Sequence, residues 1–288
     1  MEMTPAVFVG HGSPMNTLEQ NRFTESWRNL GRDIGRDFGR PRAVLAISAH
    51  WYINATAVTA MEAPRTIHDF YGFPDELFDF EYPAPGAPDV ATEIVEVVKP
   101  HWVGLDHDSW GLDHGTWSVL AHLAPDADVP VVQLSINAVE SFEYHFDLGR
   151  RLAPLRDRGV LVFASGNIVH NLGRIAWGQS GVGFDWAQRF DDAVREALAR
   201  DPADVLGLVD HPDFAQAVPT PDHFIPLLYF AGLVAEAGTT TLPFVDGCTL
   251  GSLSMTSYAL DCAAADTPHT AQASATPAPD VPADQTNM

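Results

Sequence analysis

The sequence predicts a single α/β domain built on a mostly parallel sheet with flanking helices. Three observations predict it: short apolar runs alternate with segments of helical periodicity, no linker divides the first 261 residues, and no internal repeat is visible. The first run, residues 6–10 (AVFVG), reads as a strand and is followed by a helical pattern at about 24–34. Residues 43–49 (AVLAISA) and 55–60 read as the next two strands. Between 61 and 88 the pattern breaks into a stretch crowded with aromatics, Gly and Pro, which predicts a long ordered loop serving as a wall or lid of a site. A helix at 89–98 opens on Pro88-Asp89, and another spans 115–123. A strand at 129–136, a helix at 141–155, a strand at 159–164 and a helix at 186–200 continue the alternation. Thr220-Pro221-Asp222 opens a last helix at 222–237, and a strand at 252–259 closes the body. Residues 1–261 are therefore read as one catalytic domain. The segment 262–288, without periodicity or large apolar residues before Met288, is read as a disordered tail.

Composition narrows the function. Hydrophobic residues make up 46%, enough for a substantial core. No run of eighteen apolar residues occurs, so no membrane-spanning helix is expected. The N-terminal MEMTPAVFVGHG lacks the basic and long apolar regions of a secretion signal, which predicts a cytoplasmic protein. Cys248 and Cys262 match no zinc-ribbon or redox spacing, so any metal would be held by nitrogen or oxygen. The formal net charge is −22; the last 26 residues carry only three of the acids, Asp266, Asp280 and Asp284, which leaves −19 on the rest. Such a surface argues against nucleic acid and anionic lipid as partners. Lys99 is the only lysine, and the near-absence of surface lysine predicts a salt-loving host in which ions screen the acidic surface.

The histidines carry the chemistry. His11 follows the first strand between glycines, and His50 stands at the end of the second in Ile47-Ser48-Ala49-His50-Trp51. His170 comes just after the fifth, in Ser165-Gly166-Asn167-Ile168-Val169-His170-Asn171. His114 and His223 lie at loop-to-helix junctions. Open α/β sheets place their ligand crevice at the C-terminal ends of the strands, so the strand-end histidines can converge on one ion. Imidazole suits zinc and iron alike. His101, His107, His122, His145 and His211 lack turn punctuation and are read as surface residues, while His269 falls in the tail. His68, in the aromatic loop, is a candidate for either a substrate contact or a structural role.

Eight motifs in order, GHGSPMN, SAHW, TIHDFYGFP, YPAPG, DHGTW, SGNIVHN, TPDHFIPLLY and GSLSM, make the chain resemble the LigB-like class III extradiol dioxygenases, and within them the 4,5-DOPA extradiol dioxygenase branch. The resemblance runs from about Pro5 to about Tyr258. It implies one α/β domain with a central mixed, mostly parallel sheet and helices on both faces. It also implies His11, His50 and His223 as metal ligands, His170 as a fourth ligand when zinc is bound or as an acid/base group, and His114 as a second active-site histidine. Where the wider class has a glutamate as third ligand, this chain has His223.

Extradiol cleavage of a catechol with O2 calls for Fe(2+), because zinc has no redox chemistry, whereas Zn(2+) is expected in the purified form. His170 and His114 are the candidate acid/base residues. Asp113 and Asn167 or Asn171 are candidate partners fixing the tautomers. Trp51, Phe70, Tyr71 and Phe73, with His68, are candidate substrate-facing residues. Two other functions fit the same histidines: a zinc hydrolase, and a non-catalytic metal-binding protein like the Memo-like relatives of this fold.

Overall fold

A computed structural model describes residues 3–262. One sheet contains β1 (Ala6–Gly10), β2 (Ala43–Ile53), β3 (Ala57–Thr59), β4 (Gly104–Asp106), β5 (Val131–Asn137), β6 (Val160–Gly166), β7 (Pro243–Val245) and β10 (Ser257–Leu260). Their spatial order is β4-β3-β5-β2-β6-β1-β10-β7, with β8 (Cys248–Thr249) and β9 (Leu253–Ser254) paired separately. The centre, β5-β2-β6-β1, is parallel, whereas β3 joins β5, and β10 joins β1, in the antiparallel sense. The mixed, mostly parallel sheet is thus the predicted one.

Alternation along the central strands divides the core into two layers, as period-two side chains must when both faces are covered. Ala6, Phe8, Leu45 and Ile47 face one layer, where α3 (Pro88–Val97), α5 (Phe142–Leu152), α6 (Asp185–Arg200) and α8 (Ile225–Glu236) pack. Val7, Val9, Val44 and Ala46 face the other, beneath α1 (Arg22–Asp37) and α4 (His114–Leu123). The start of α1 is fixed by Asn21, whose side chain accepts from Phe23 and Thr24 N–H while the Thr24 hydroxyl caps the Asn21 nitrogen. Short helices α2 (Asp75–Phe78) and α7 (Phe214–Ala217) lie in the connections, and no helix among the described residues is long and apolar enough to cross a membrane.

Several expectations are corrected. β2 does not end at Ala49 but continues through His50 to Ile53, with its register against β5 breaking between Ile47 and Tyr52. That irregularity surrounds His50; extra residues of this kind re-aim a side chain beside a site. The strand expected at 252–259 is two pieces, β9 and β10, because Leu253 pairs with β8 while Ser257 onward pairs with β1 and β7. The last helix begins at Ile225, three residues after the expected Asp222. His122 and His145, read as surface residues, are 5% and 0% exposed. His122 donates from Nε2 to the Asn16 carbonyl at 2.6 Å, and His145 Nδ1 meets the Tyr229 hydroxyl at 3.0 Å. Burial pushes the His145 imidazole down to about 4, so it is a neutral core residue. The tail expected over 262–288 lies, Cys262 apart, outside the described residues.

Candidate metal centre

Five histidines gather at the C-terminal edge of the parallel strands. β1 delivers His11, the irregular end of β2 delivers His50, the segment after β6 delivers His170, α4 begins with His114, and the turn before α8 carries His223. Two glycines make room for them. Gly12 has φ +62°, which favours glycine, and a Cβ there would lie 2.5 Å from the Met255 sulfur. At Gly115 a Cβ would come within 2.8 Å of the His50 ring and 2.5 Å of Ser48 Oγ. Only a bare Cα lets α4 begin this close to β2.

The ligand nitrogens of His11, His50 and His223 all lie within 4.8 Å of one another. His11 and His50 approach Nε2 to Nε2 at 3.2 Å. Each Nδ1 has its own partner. His11 Nδ1 meets Ser165 Oγ at 3.0 Å; that hydroxyl donates its proton to the Gly115 carbonyl at 2.5 Å, so it accepts from His11. His50 Nδ1 donates to Asp69 at 3.0 Å, and His223 Nδ1 donates to Asp222. A neutral imidazole that donates from Nδ1 carries its lone pair on Nε2. Three lone pairs therefore converge, and Nε2 of His223, fully buried, has no hydrogen-bond partner. A divalent cation is the group such a donor set fits, and a partner on the outer nitrogen is the usual arrangement around ligating histidines.

Burial, together with the neighbouring imidazoles, holds His11 well below the ordinary histidine value. Burial also lowers His223, despite Asp222. At His50 the burial effect is overcome by the Asp69 carboxylate, and the pKa is raised. Asp69 is itself opposed by burial but held ionised by His114 and His50. It accepts from both imidazoles: the carboxylate oxygen that receives His114 Nδ1 at 2.8 Å and the His114 amide at 3.1 Å is not the one facing His50. His114 is 0% exposed, burial presses its pKa to about 4, and its Nε2 has no hydrogen-bond partner.

His170 stands differently. Its ring is stacked on His223 with centroids 3.5 Å apart and planes at 2°. Among the described residues, the two groups able to hold an ion are His11-His50-His223 and His50-Asp69-His114, and His170 belongs to neither.

The aromatic residues separate. Phe70, 1% exposed, meets the His114 ring edge-on at 5.6 Å and packs on Phe73 at 5.4 Å. Trp51 is 3% exposed and stacked on Trp110. Tyr71 is 70% exposed. His68 bonds the Phe80 carbonyl at 2.8 Å and packs against Trp117, which ties the 61–88 segment to α4.

The expected tautomer-fixing residues are replaced. Asp113 caps α4 and accepts from Ser48 and Gln133; Asn167 donates to the Ser254 carbonyl at 2.7 Å and Asn171 to the Gln216 carbonyl at 2.7 Å. Asp69, Asp222 and Ser165 do that work instead. Their signal was present, since each lies inside a histidine motif, but Asp222 also reads as a helix-opening residue.

Fold and site together are those of a metal-dependent α/β enzyme. Residues 4–245 match the family model for the catalytic LigB subunit of aromatic ring-opening dioxygenase. The chain is 46% identical over 257 residues to the 4,5-DOPA dioxygenase extradiol of Escherichia coli K12, covering 88% of this chain and 93% of that protein. It is 36% identical to the Beta vulgaris protein of the same description, over 80% of this chain and 86% of the relative. A crystal structure of an uncharacterized Escherichia coli K12 protein superposes with a TM-score of 0.77 at 41% identity, over 89% of this chain and 99% of that one. The chain belongs to the LigB family of aromatic ring-opening dioxygenases.

Proposed function

We propose that the chain is a metal-dependent extradiol dioxygenase that opens the ring of a DOPA-like catechol with O2, with His11, His50 and His223 holding the metal. The convergence of three Nε2 lone pairs, each set by a bonded Nδ1, carries this reading. Iron, when bound, would offer open positions for the catechol oxygens and would pass electron density from the catechol, the reductant, to O2, a relay that redox-inert zinc would not provide. His114, neutral and donating to Asp69, presents an Nε2 acceptor for a phenolic proton. Phe70, buried edge-on against the His114 ring, shields this side from water.

His170 is the acid/base partner rather than a fourth ligand. A nitrogen lone pair lies in its ring plane, and a zinc–nitrogen bond is about 2.0–2.1 Å. The His170 ring lies parallel to His223 with centroids 3.5 Å apart, so the in-plane lone pairs of the two rings run side by side rather than toward one point.

The test is metal exchange. Protein loaded with Zn(2+) is expected to be nearly inactive, and the same protein loaded anaerobically with Fe(2+) to consume O2 with a DOPA and catechol panel and form a yellow product. Equal turnover with either metal would rule out redox participation and favour hydrolysis.

We also propose that the acidic body reflects a salt-rich cytoplasm. Screening shortens from about 10 Å at 0.1 M salt to about 3 Å at 1 M. The melting temperature should climb by several degrees across that range of KCl, since about 1 kcal/mol moves the midpoint of a chain this size by about 2–4 °C. A flat profile would dismiss salt adaptation without touching the enzyme.

A further inference from the structure

A cavity of about 560 Å³ opens at the end of the sheet opposite the histidines. It is lined by Val44, Val129 and Leu161, where the parallel strands begin, and the histidines stand where those strands end. Its size is that of a small-molecule site. One wall is α1, which contributes Arg28, Arg32 and Ile34; another is the end of α4, with His122 and Leu123.

The charges on this cavity are unusual for an acidic chain. Most cations of the protein sit beside a carboxylate, Arg40 on this rim with Asp128 at 3.0 Å among them. Arg28 and Arg32 have no carboxylate within 4.0 Å among the described residues, although Asp126 also lines the cavity. Among the described residues Arg32 bonds the neutral Asn29 side chain, and the charge of Arg28 is felt at His122, where it adds to burial in lowering the imidazole. The two arginines are four residues apart on one helix, so they face the same way and repel each other. An anion between them would relieve that repulsion.

We propose that this cavity binds a small organic carboxylate, its acid group between Arg28 and Arg32 and its apolar body against Ile34, Leu123 and Leu161. The guanidinium fork matches a carboxylate in geometry as well as charge. Gly35 also lines the cavity, and a Cβ there meets nothing within 4 Å, so a larger side chain is tolerated by the helix and fills the space.

Benzoate is the probe, titrated calorimetrically into the full-length, metal-loaded protein at 0.1 M salt. Saturable binding is expected, at least 10-fold tighter than for benzyl alcohol. Both R28Q/R32Q, which removes the charge, and G35L, which removes the volume, should weaken benzoate at least 10-fold. Catechol turnover without benzoate should be unchanged in both variants. Absence of saturable binding, equal affinity for benzyl alcohol, or unchanged affinity in either variant would overturn the assignment. Because G35L keeps both arginines and places a better helix former on α1, a folding defect in the charge variant does not remove the test.

Discussion

His223→Ala is expected to purify without its metal and without ring-opening activity, and His11→Ala and His50→Ala to behave the same way. Each change deletes one of three inward nitrogens, and the remaining pair leaves a buried, underfilled coordination shell. Losing an outer hydrogen bond to a ligating histidine typically costs 10–100-fold in affinity, so losing the ligand itself should exceed that. Metal analysis after gel filtration reads the loss directly. The contrast is with His170→Ala and His114→Ala, which should keep about one metal per chain while turnover falls by roughly 10²–10⁴, the usual contribution of a positioned acid or base. A His223→Ala protein that retains a full complement of iron and normal activity would disprove the ligand set. Full activity in iron-saturated His170→Ala would move the acid/base role wholly to His114.

Asp69→Asn should be nearly as damaging, although Asp69 is neither a ligand in the three-histidine set nor a proton carrier. Its carboxylate accepts from two imidazoles at once, His50 at 3.0 Å and His114 at 2.8 Å. An amide of the same shape offers one acceptor and one donor. One of the two histidines must then turn its Nδ1 lone pair to the amide N–H and carry its own proton on Nε2. If it is His50, a metal-directed lone pair is lost; if it is His114, the base is lost. Wrong-tautomer substitutions beside other catalytic histidines cost about 10⁴ in turnover. The expected result is a loss of about 10²–10⁴ in kcat, with metal affinity reduced 10–100-fold if the flipped ring is His50. Metal titration and kcat together identify which ring has flipped, and a variant with wild-type values of both would show that Asp69 has no positioning role.

Much of this site could be read from the chain because its framework is local. A histidine directly after an apolar run, with glycine beside it, leaves a strand end whatever the rest of the protein does, and His11 needed no long-range information; His170 was legible from its place four residues past the end of β6, the fifth apolar run. His50 was legible as a residue but not as a geometry. Whether β2 stops or runs on past it depends on the register that β5 imposes, and that is a property of the neighbour. The single strand expected at 252–259 failed for the same reason, since its two halves answer to different partners.

The carboxylates were the larger omission. Asp69 reaches His114 across 45 positions of chain, and Ser165 reaches His11 across 154. Nothing in local propensity distinguishes Asp69, which orients two imidazoles, from Asp113, which caps a helix, because both are acids beside a histidine in a turn. His145 was misplaced likewise: one buried hydroxyl, Tyr229 from α8, is what permits an imidazole in the core. The sequence by itself determined the α/β alternation, the strand ends and the histidines they carry, since these rest on periodicity and turn chemistry within a few residues. Only the tertiary structure decided which acid orients which ring, that His170 lies stacked on His223, and that Arg28 and Arg32 share a cavity, because a hydrogen bond or ring contact is decided by ångström-scale distances between segments that only packing brings together.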